Sequence, residues 1–152
     1  MRPEDQFHIG FVVDDADGAK EEFATLFGYT WGPEIGGPLQ VRLPGGDVDL
    51  ELRCSYSLSV PRLEVVRSVP GTLWEAAYGI HHVGYWSDDV AADVAELTGH
   101  GFVTEATRPA PGGGLHFAFL RSAATGFRVE LVTRLAQPGL ERVWNAGEGT
   151  GR

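Results

Sequence analysis

HIGFVVDD at residues 8–15 and HVGYWSDD at residues 82–89 are two versions of one segment. His, Gly and both Asp recur, and Ile/Val and Phe/Tyr exchange conservatively between the copies. A second echo closes each copy: LEVV at 63–66 answers to VELV at 129–132. A repeat of this kind decides the architecture before any single element is assigned, because each copy is one supersecondary unit. Both copies start as a short run of β-branched and aromatic residues, Phe7–Val13 and Ile80–Trp86, which reads as a strand. The paired aspartates then supply cap oxygens for a helix. In the first copy, Ala19, Phe23, Leu26 and Phe27 mark the apolar face, and Gly28 ends it. In the second, Val90, Val94 and Leu97 mark the face, and Gly99 or Gly101 ends it.

Three strands are expected after each helix. They are Leu39–Leu43, Val48–Tyr56 and Arg62–Ser68 in the first copy, and Phe102–Ala106, His116–Arg121 and Phe127–Thr133 in the second. Pro44-Gly45-Gly46, Ser57–Pro61 and Pro109–Gly114 read as the turns and loops between them. The fold class is therefore α+β, with two βαβββ modules over residues 7–69 and 79–134 and a C-terminal extension over 135–152. Neither module closes a core alone, so the two pair as curved mixed sheets around a shared cleft, within one chain or swapped between two. The connector SVPGTLWEAAY (68–78) carries Trp74 and is expected to pack on something. Pro138–Asn145 is expected to form a short helix with Leu140 and Val143 inward, and the tail Ala146–Arg152 to fray.

Composition excludes several classes. The 152 residues hold 21 acidic and 12 basic side chains, for a formal net charge of −9. Lys20 is the sole lysine, and no basic cluster exists to meet a phosphate backbone, so no nucleic-acid partner is expected. No apolar run approaches the roughly 20 residues of a membrane span, so no membrane partner is expected. MRPEDQFHIG lacks the apolar core of a signal peptide, and Cys54 is alone, so the expected compartment is the reducing cytoplasm. The 21 glycines fall mostly where the repeat needs turns. Gly10 and Gly84 differ: they sit inside the first strands, two residues after a histidine, and mark close backbone approach or strand bending.

The repeat aligns His8 with His82 and Glu64 with Glu130. Each module then offers one imidazole on its first strand and one carboxylate on its last. If both strands face the cleft, two nitrogens and two oxygens converge on a site fit for a divalent ion such as zinc, nickel, cobalt, manganese or iron. Taken singly, each glutamate also reads as the solvent face of a half-buried strand, and each histidine as a core or rim residue. His81 must face away from His82, as a packing or supporting residue, since strand side chains alternate. His116 reads first as an ordinary polar strand residue, with a cleft position as the alternative. His100 lies in an exposed turn.

These segments, FHIGFVVDD (7–15), LEVVRSV (63–69), GIHHVGYWSDD (79–89) and FRVELV (127–132), resemble the vicinal oxygen chelate superfamily, the relatives of glyoxalase I and methylmalonyl-CoA epimerase. The resemblance runs over residues 7–134. It implies a metal held by His8, Glu64, His82 and Glu130, the His/Glu/His/Glu set of bacterial glyoxalase I. Methylmalonyl-CoA epimerases usually have Gln at the place of Glu64. The chemistry implied is proton abstraction next to a carbonyl through an enediolate, as in an isomerase, epimerase or lyase acting on a small-molecule substrate. Glu130 is the first choice of base and Glu64 the second. Glu51 is the nearest candidate for the further catalytic glutamate of the epimerases. Two other activities fit the same resemblance: a metal-free antibiotic-binding protein, with Trp31, Trp74 and Trp86 lining its pocket, and a non-haem iron dioxygenase, against which the fourth protein ligand argues. Arg42, Arg53, Arg62, Arg67 and Arg121 are candidates for holding a substrate anion, and a homodimer is the expected assembly.

Overall fold

A computed structural model of the chain describes residues 1–146. A short 3-10 turn at Pro3–Asp5 leads into β1 (Gln6–Val13), where His8, Gly10 and Val12 alternate inward. Asp15 accepts a hydrogen bond from the Gly18 amide at 2.9 Å and opens α1 (Ala16–Phe27), and Gly28 closes it with a left-handed backbone at φ 75°. The first module continues with β2 (Ile35–Leu43), β3 (Gly46–Tyr56) and β4 (Leu63–Arg67). The second repeats the order. In β5 (His82–Ser87), His82, Gly84 and Trp86 are inward, and Asp89 caps α2 (Val90–Gly99) through the Ala92 amide at 3.0 Å. Then come β6 (Phe102–Pro109), β7 (Leu115–Ser122), β8 (Arg128–Thr133) and α3 (Gln137–Ala146).

Eight strands among the described residues close into one barrel, in the order β1-β4-β3-β2-β6-β7-β8-β5. Each module contributes a four-stranded sheet whose first and last strands are parallel neighbours, β1 with β4 and β5 with β8. The modules meet twice within the chain. β1 and β5 pair antiparallel, and β2 meets β6 through the Arg42–Thr107 pair. The curved mixed α+β sheet expected from the repeat is thus observed, closed rather than open.

Alternation divides the apolar residues into an inner and an outer set. Phe117, Phe119 and Val132 point inward, where they join Val12, Trp74 and Trp86. Ala118, Leu120, Val129 and Leu131 point outward under Val90, Val94 and Leu97 of α2. Strand β8 is therefore buried on both faces, so its glutamate has no solvent face to occupy. Helix α1 covers its side less completely: Leu26 and Phe27 are 67% and 68% exposed, against the expected inward placement.

Several bounds also differ from the sequence reading. β2 starts at Ile35 rather than Leu39, because the Gly36-Gly37-Pro38 run extends as edge-like strand along Glu51–Arg53 of β3. β6 runs to Pro109 rather than Ala106, lengthening the hairpin to β7. β5 starts at His82, leaving Ile80 60% exposed. Helix α3 forms where expected, with Leu140 and Val143 half-buried against the inner core and Trp144 buried in it. The expectation of a frayed tail falls mainly on residues 147–152, which lie outside the described residues.

The connector does pack: Trp74 is 1% exposed and meets Phe119 and Phe117 edge-on at 5.4 and 6.4 Å between ring centroids. Removing so large a buried side chain leaves a cavity that the barrel cannot collapse to fill. Trp74→Ala is expected to cost about 3–5 kcal/mol. Urea denaturation should show a lower midpoint at unchanged slope; an unchanged midpoint would mean that the connector is not part of the cooperative fold.

Candidate metal centre

The antiparallel register of β1 and β5 sets His8 opposite Gly84 and Gly10 opposite His82. A Cβ at Gly10 would overlap the His82 ring, and one at Gly84 would overlap the His8 ring. Each module's glycine is thus the space into which the other module's histidine folds. The parallel pairings then place Glu64 beside Gly10 and Glu130 beside Gly84. Both strand glycines mark close approach, the first of the two readings their positions allowed.

The four side chains meet at one point. One ligand atom from each lies within 4.8 Å of the others, and all four residues are buried. The two Nε2 atoms are 2.9 Å apart. Glu64 Oε2 lies 3.0 Å from His82 Nε2 and 3.4 Å from His8 Nε2. Glu130 Oε2 lies 3.1 Å from His8 Nε2 and 3.4 Å from His82 Nε2. Ligand atoms bound about 2.0–2.1 Å from one ion stand about 3.3–3.4 Å apart in a tetrahedral set, the upper end of these separations. Glu130 Oε2 also has no hydrogen-bond partner despite its burial. A donor set of two imidazoles and two carboxylates with an orphaned oxygen therefore fits a divalent cation of the zinc, nickel, cobalt, manganese or iron type.

The electrostatics of the cluster are strongly coupled. Burial pushes the His8 imidazole down, but Glu64 and Glu130 outweigh it and raise His8 to about 9. His82 is raised for the same reason. Burial pushes both carboxyls up, and the two imidazoles more than reverse this, holding Glu64 and Glu130 below the ordinary range. Burial, then the charge of Glu64, raises the Cys54 thiol and the Tyr56 phenol, so both stay neutral beside the cluster.

A supporting chain orients one histidine. His81 Nε2 lies 2.8 Å from the Leu73 carbonyl, which only accepts, so Nε2 carries the proton. Burial holds His81 down to about 4, hence neutral, and its Nδ1 accepts. His82 Nδ1, 2.9 Å away, then donates to it, so when His82 gives up its other proton the Nε2 lone pair points into the cluster. The matching residue before His8 is Phe7, and His8 Nδ1 is buried without a hydrogen-bond partner.

Beside the cluster is a cavity of about 430 Å³, lined by β2, β3, β4, β6, β7, β8 and α3. Glu64, Glu130, Cys54 and Tyr56 face it, and Leu140 and Val143 of α3 form part of its wall. Arg108 and His116 also line it. The sequence reading passed over Arg108 and put His116 second. His116 is the extra residue of a bulge, since Arg108 pairs with Phe117 while Pro109 pairs with Leu115. A bulge re-aims a side chain, and period-two alternation does not reveal it.

The other candidates lie elsewhere. Trp74 and Trp86 pack in the core, and Trp31 donates to the Lys20 carbonyl at 3.0 Å. Glu51 is exposed and pairs with Arg53. Arg42 pairs with Asp47, Arg67 with Glu34 and Arg121 with Glu105. Arg62 donates to the Ser57 carbonyl and stacks 3.8 Å over Trp144.

The sequence model of the Glyoxalase/Bleomycin resistance protein/Dioxygenase superfamily matches residues 7–119, and the chain belongs to this superfamily. The methylmalonyl-CoA epimerase of Streptomyces coelicolor, in a variant complexed with 2-nitronate-propionyl-CoA, is similar in structure. The TM-score is 0.58 at 19% identity, over 84% of this chain and 95% of that one. The methylmalonyl-CoA epimerase of Mycobacterium tuberculosis matches with a TM-score of 0.54 at 19% identity, over 87% of this chain and 91% of that one. A hypothetical protein of Bacillus halodurans C-125 matches with 0.56 at 17%, over 85% and 93%. At these identities the likeness is one of fold. No curated protein matches the sequence. No helix among the described residues is long and apolar enough to cross a membrane.

If the glycines exist to admit the histidines, a methyl group there should displace the rings. Gly10→Ala and Gly84→Ala are each expected to weaken zinc binding by about tenfold or more, as loss of ligand positioning does elsewhere. Gly45→Ala, where the added Cβ meets nothing, should leave it unchanged. Competition with a chromophoric chelator measures both; equal affinities across the three variants would refute the steric reading.

Proposed function

We propose that His8, Glu64, His82 and Glu130 hold a divalent metal ion, and that the protein is an isomerase, epimerase or lyase acting through an enediolate next to a carbonyl. The observation that carries this reading is the convergence of the four buried ligand atoms within 4.8 Å. Four inward donors, two of them carboxylates, are costly to bury together unless a cation is shared among them. A bound divalent ion supplies positive charge where negative charge develops on a substrate oxygen.

The chain's own residues would do the rest. Glu130 takes the proton from the carbon beside the carbonyl. Its side chain is 11% exposed against 7% for Glu64, so it is the less enclosed of the two beside the cavity. Glu64, nearest to His82, is the second choice of base and the steadier ligand. Tyr56 and Cys54, held neutral, leave the two carboxylates as the groups that exchange a proton. Return of the proton to the other face gives an epimer; return to the neighbouring carbon gives an isomer. A dioxygenase needs open positions at its iron, which four protein donors reduce. The expected homodimer and a cytoplasmic location belong to the same reading.

Metal analysis of the purified protein should find about one divalent ion per chain. A solvent-deuterium exchange screen over α-hydroxy ketones, hemithioacetals and acyl-CoA thioesters should show label entering beside the carbonyl. Glu130→Gln should slow that exchange by about 10²-fold or more, the usual size of a lost general base. Absence of a divalent ion, together with exchange indifferent to Glu130→Gln, would overturn the reading.

His81→Phe places in the second module the residue that the first already has at Phe7, so the fold should tolerate it. It is expected to lower zinc affinity by about 10–100-fold. Nitrogen NMR of the metal-free protein, at a pH high enough to deprotonate His82, should show this residue losing its fixed tautomer. An unchanged tautomer would remove His81 from any supporting role.

A further inference from the structure

Among the described arginines that are at least half-buried, Arg108 alone has neither a carboxylate nor a carbonyl partner. Arg53 holds Glu51, Arg62 the Ser57 carbonyl, Arg67 Glu34, Arg128 Glu105 and Arg134 Asp5. Arg108 lies instead on the wall of the cavity that Glu64 and Glu130 also line. Desolvating a guanidinium without a partner is costly, and its planar fork matches a carboxylate or phosphate in two parallel hydrogen bonds. His116 stands next to it. The bulge in β7 turns this imidazole into the same cavity, where it has no hydrogen-bond partner of its own. Burial, and then the charge of Arg108, lowers His116, while Glu130 acts in the opposite sense, so the imidazole senses both the cation and the carboxylate. Between these groups the wall is apolar, from Leu39, Leu52, Val132 and Leu140.

We propose that Arg108, assisted by His116, is an anion subsite of this cavity, and that the substrate is a carbonyl compound bearing a carboxylate or phosphate group. The inference rests on the functional reading above and narrows its substrate class. The proton-abstracting carboxylates lie on β4 and β8, and the cation lies on β6. An anionic group held by Arg108 thus orients the carbonyl end toward the glutamates. Arg108 is a specificity-determining residue in this arrangement and takes no part in moving the proton.

The test measures binding by calorimetry, on zinc-loaded and on metal-free protein. The probes are acetoacetate and 4-oxopentanoate, the primary amide of each as an uncharged isostere, and dihydroxyacetone phosphate. In the wild type an anionic probe should bind at least about tenfold more tightly than the amides, the worth of a charge-assisted pair. A lead by dihydroxyacetone phosphate identifies the anion as phosphate, and a lead by the acids identifies it as carboxylate; either supports the subsite. Arg108→Gln should erase the preference for the anion while leaving the affinity for the amides within about twofold, and Arg108→Lys should keep part of it. Equal affinity for acid, phosphate and amide in the wild type, or no binding of any anion, overturns the proposal even if Arg108→Gln does not fold. So does an equal loss of acid and amide in either variant, which marks a structural role. Metal content reads out separately: a protein that binds zinc without preferring anions sinks this inference alone, and one that prefers anions without holding metal sinks the functional reading alone.

Discussion

The antiparallel pairing of β1 with β5 is the constraint on which the rest depends. At this seam each imidazole lies over the neighbouring strand, and it does so because it faces a residue with no side chain. The antiparallel register that pairs His8 with Gly84 also pairs Gly10 with His82, so satisfying one contact satisfies the other. The parallel neighbours β4 and β8 then have no choice of face. A slip of one residue would turn Glu64 and Glu130 outward, into the layers that α1 and α2 cover, and would bring Leu63, Val65, Val129 and Leu131 inward. Burial of both faces of the last strands therefore enforces the register that brings the carboxylates to the histidines.

The pseudo-symmetry of the cluster is broken just outside it. His82 is oriented through His81 to the Leu73 carbonyl. His8 stands between Phe7 and Tyr56, edge-on to both, with its second nitrogen unpartnered. The carboxylates differ in the same sense: Glu64 lies closer to the oriented histidine, and Glu130 to the unsupported one. A duplicated site thus acquires one half oriented by hydrogen bonds and one half without that support. On the proposed reading, the first half keeps its carboxylate as a ligand and the second supplies the base.

The repeat made much of this legible in advance, because symmetry constrains several residues at once. Two histidines and two glutamates at matching positions could be read as one site, and two glycines as marks of close approach or bending, although each alone has an ordinary explanation. Helix α3 was legible from Leu140 and Val143. Less was legible where the copies diverge. Gly36-Gly37-Pro38 has the composition of a turn, yet it lies in β2 because β3 offers a long partner. The closure of β2 on β6 rests on a single pair, Arg42 with Thr107, which no pattern in either strand announces. Arg108 was hidden by the prolines and glycines that follow it, and His116 by a bulge that exists only once β6 and β7 are paired.

On the proposed reading, the same divergence decides what the cavity recognises. Both modules contribute a carboxylate to it, but only the second contributes a cation, and it does so from the strand pair whose register is broken. A symmetric barrel would present two carboxylates and no guanidinium on the substrate side, with nothing to hold an anionic carbonyl compound. The bulge removes that symmetry, placing a half-buried guanidinium and an imidazole on the β6–β7 wall while the carboxylates remain on β4 and β8. On the proposed reading, the group that anchors the substrate's anion is therefore not one of the groups that would take its proton. Arg108 on β6 holds one end of the molecule, and the acidic carbon at the other end is left to the carboxylates on β4 and β8.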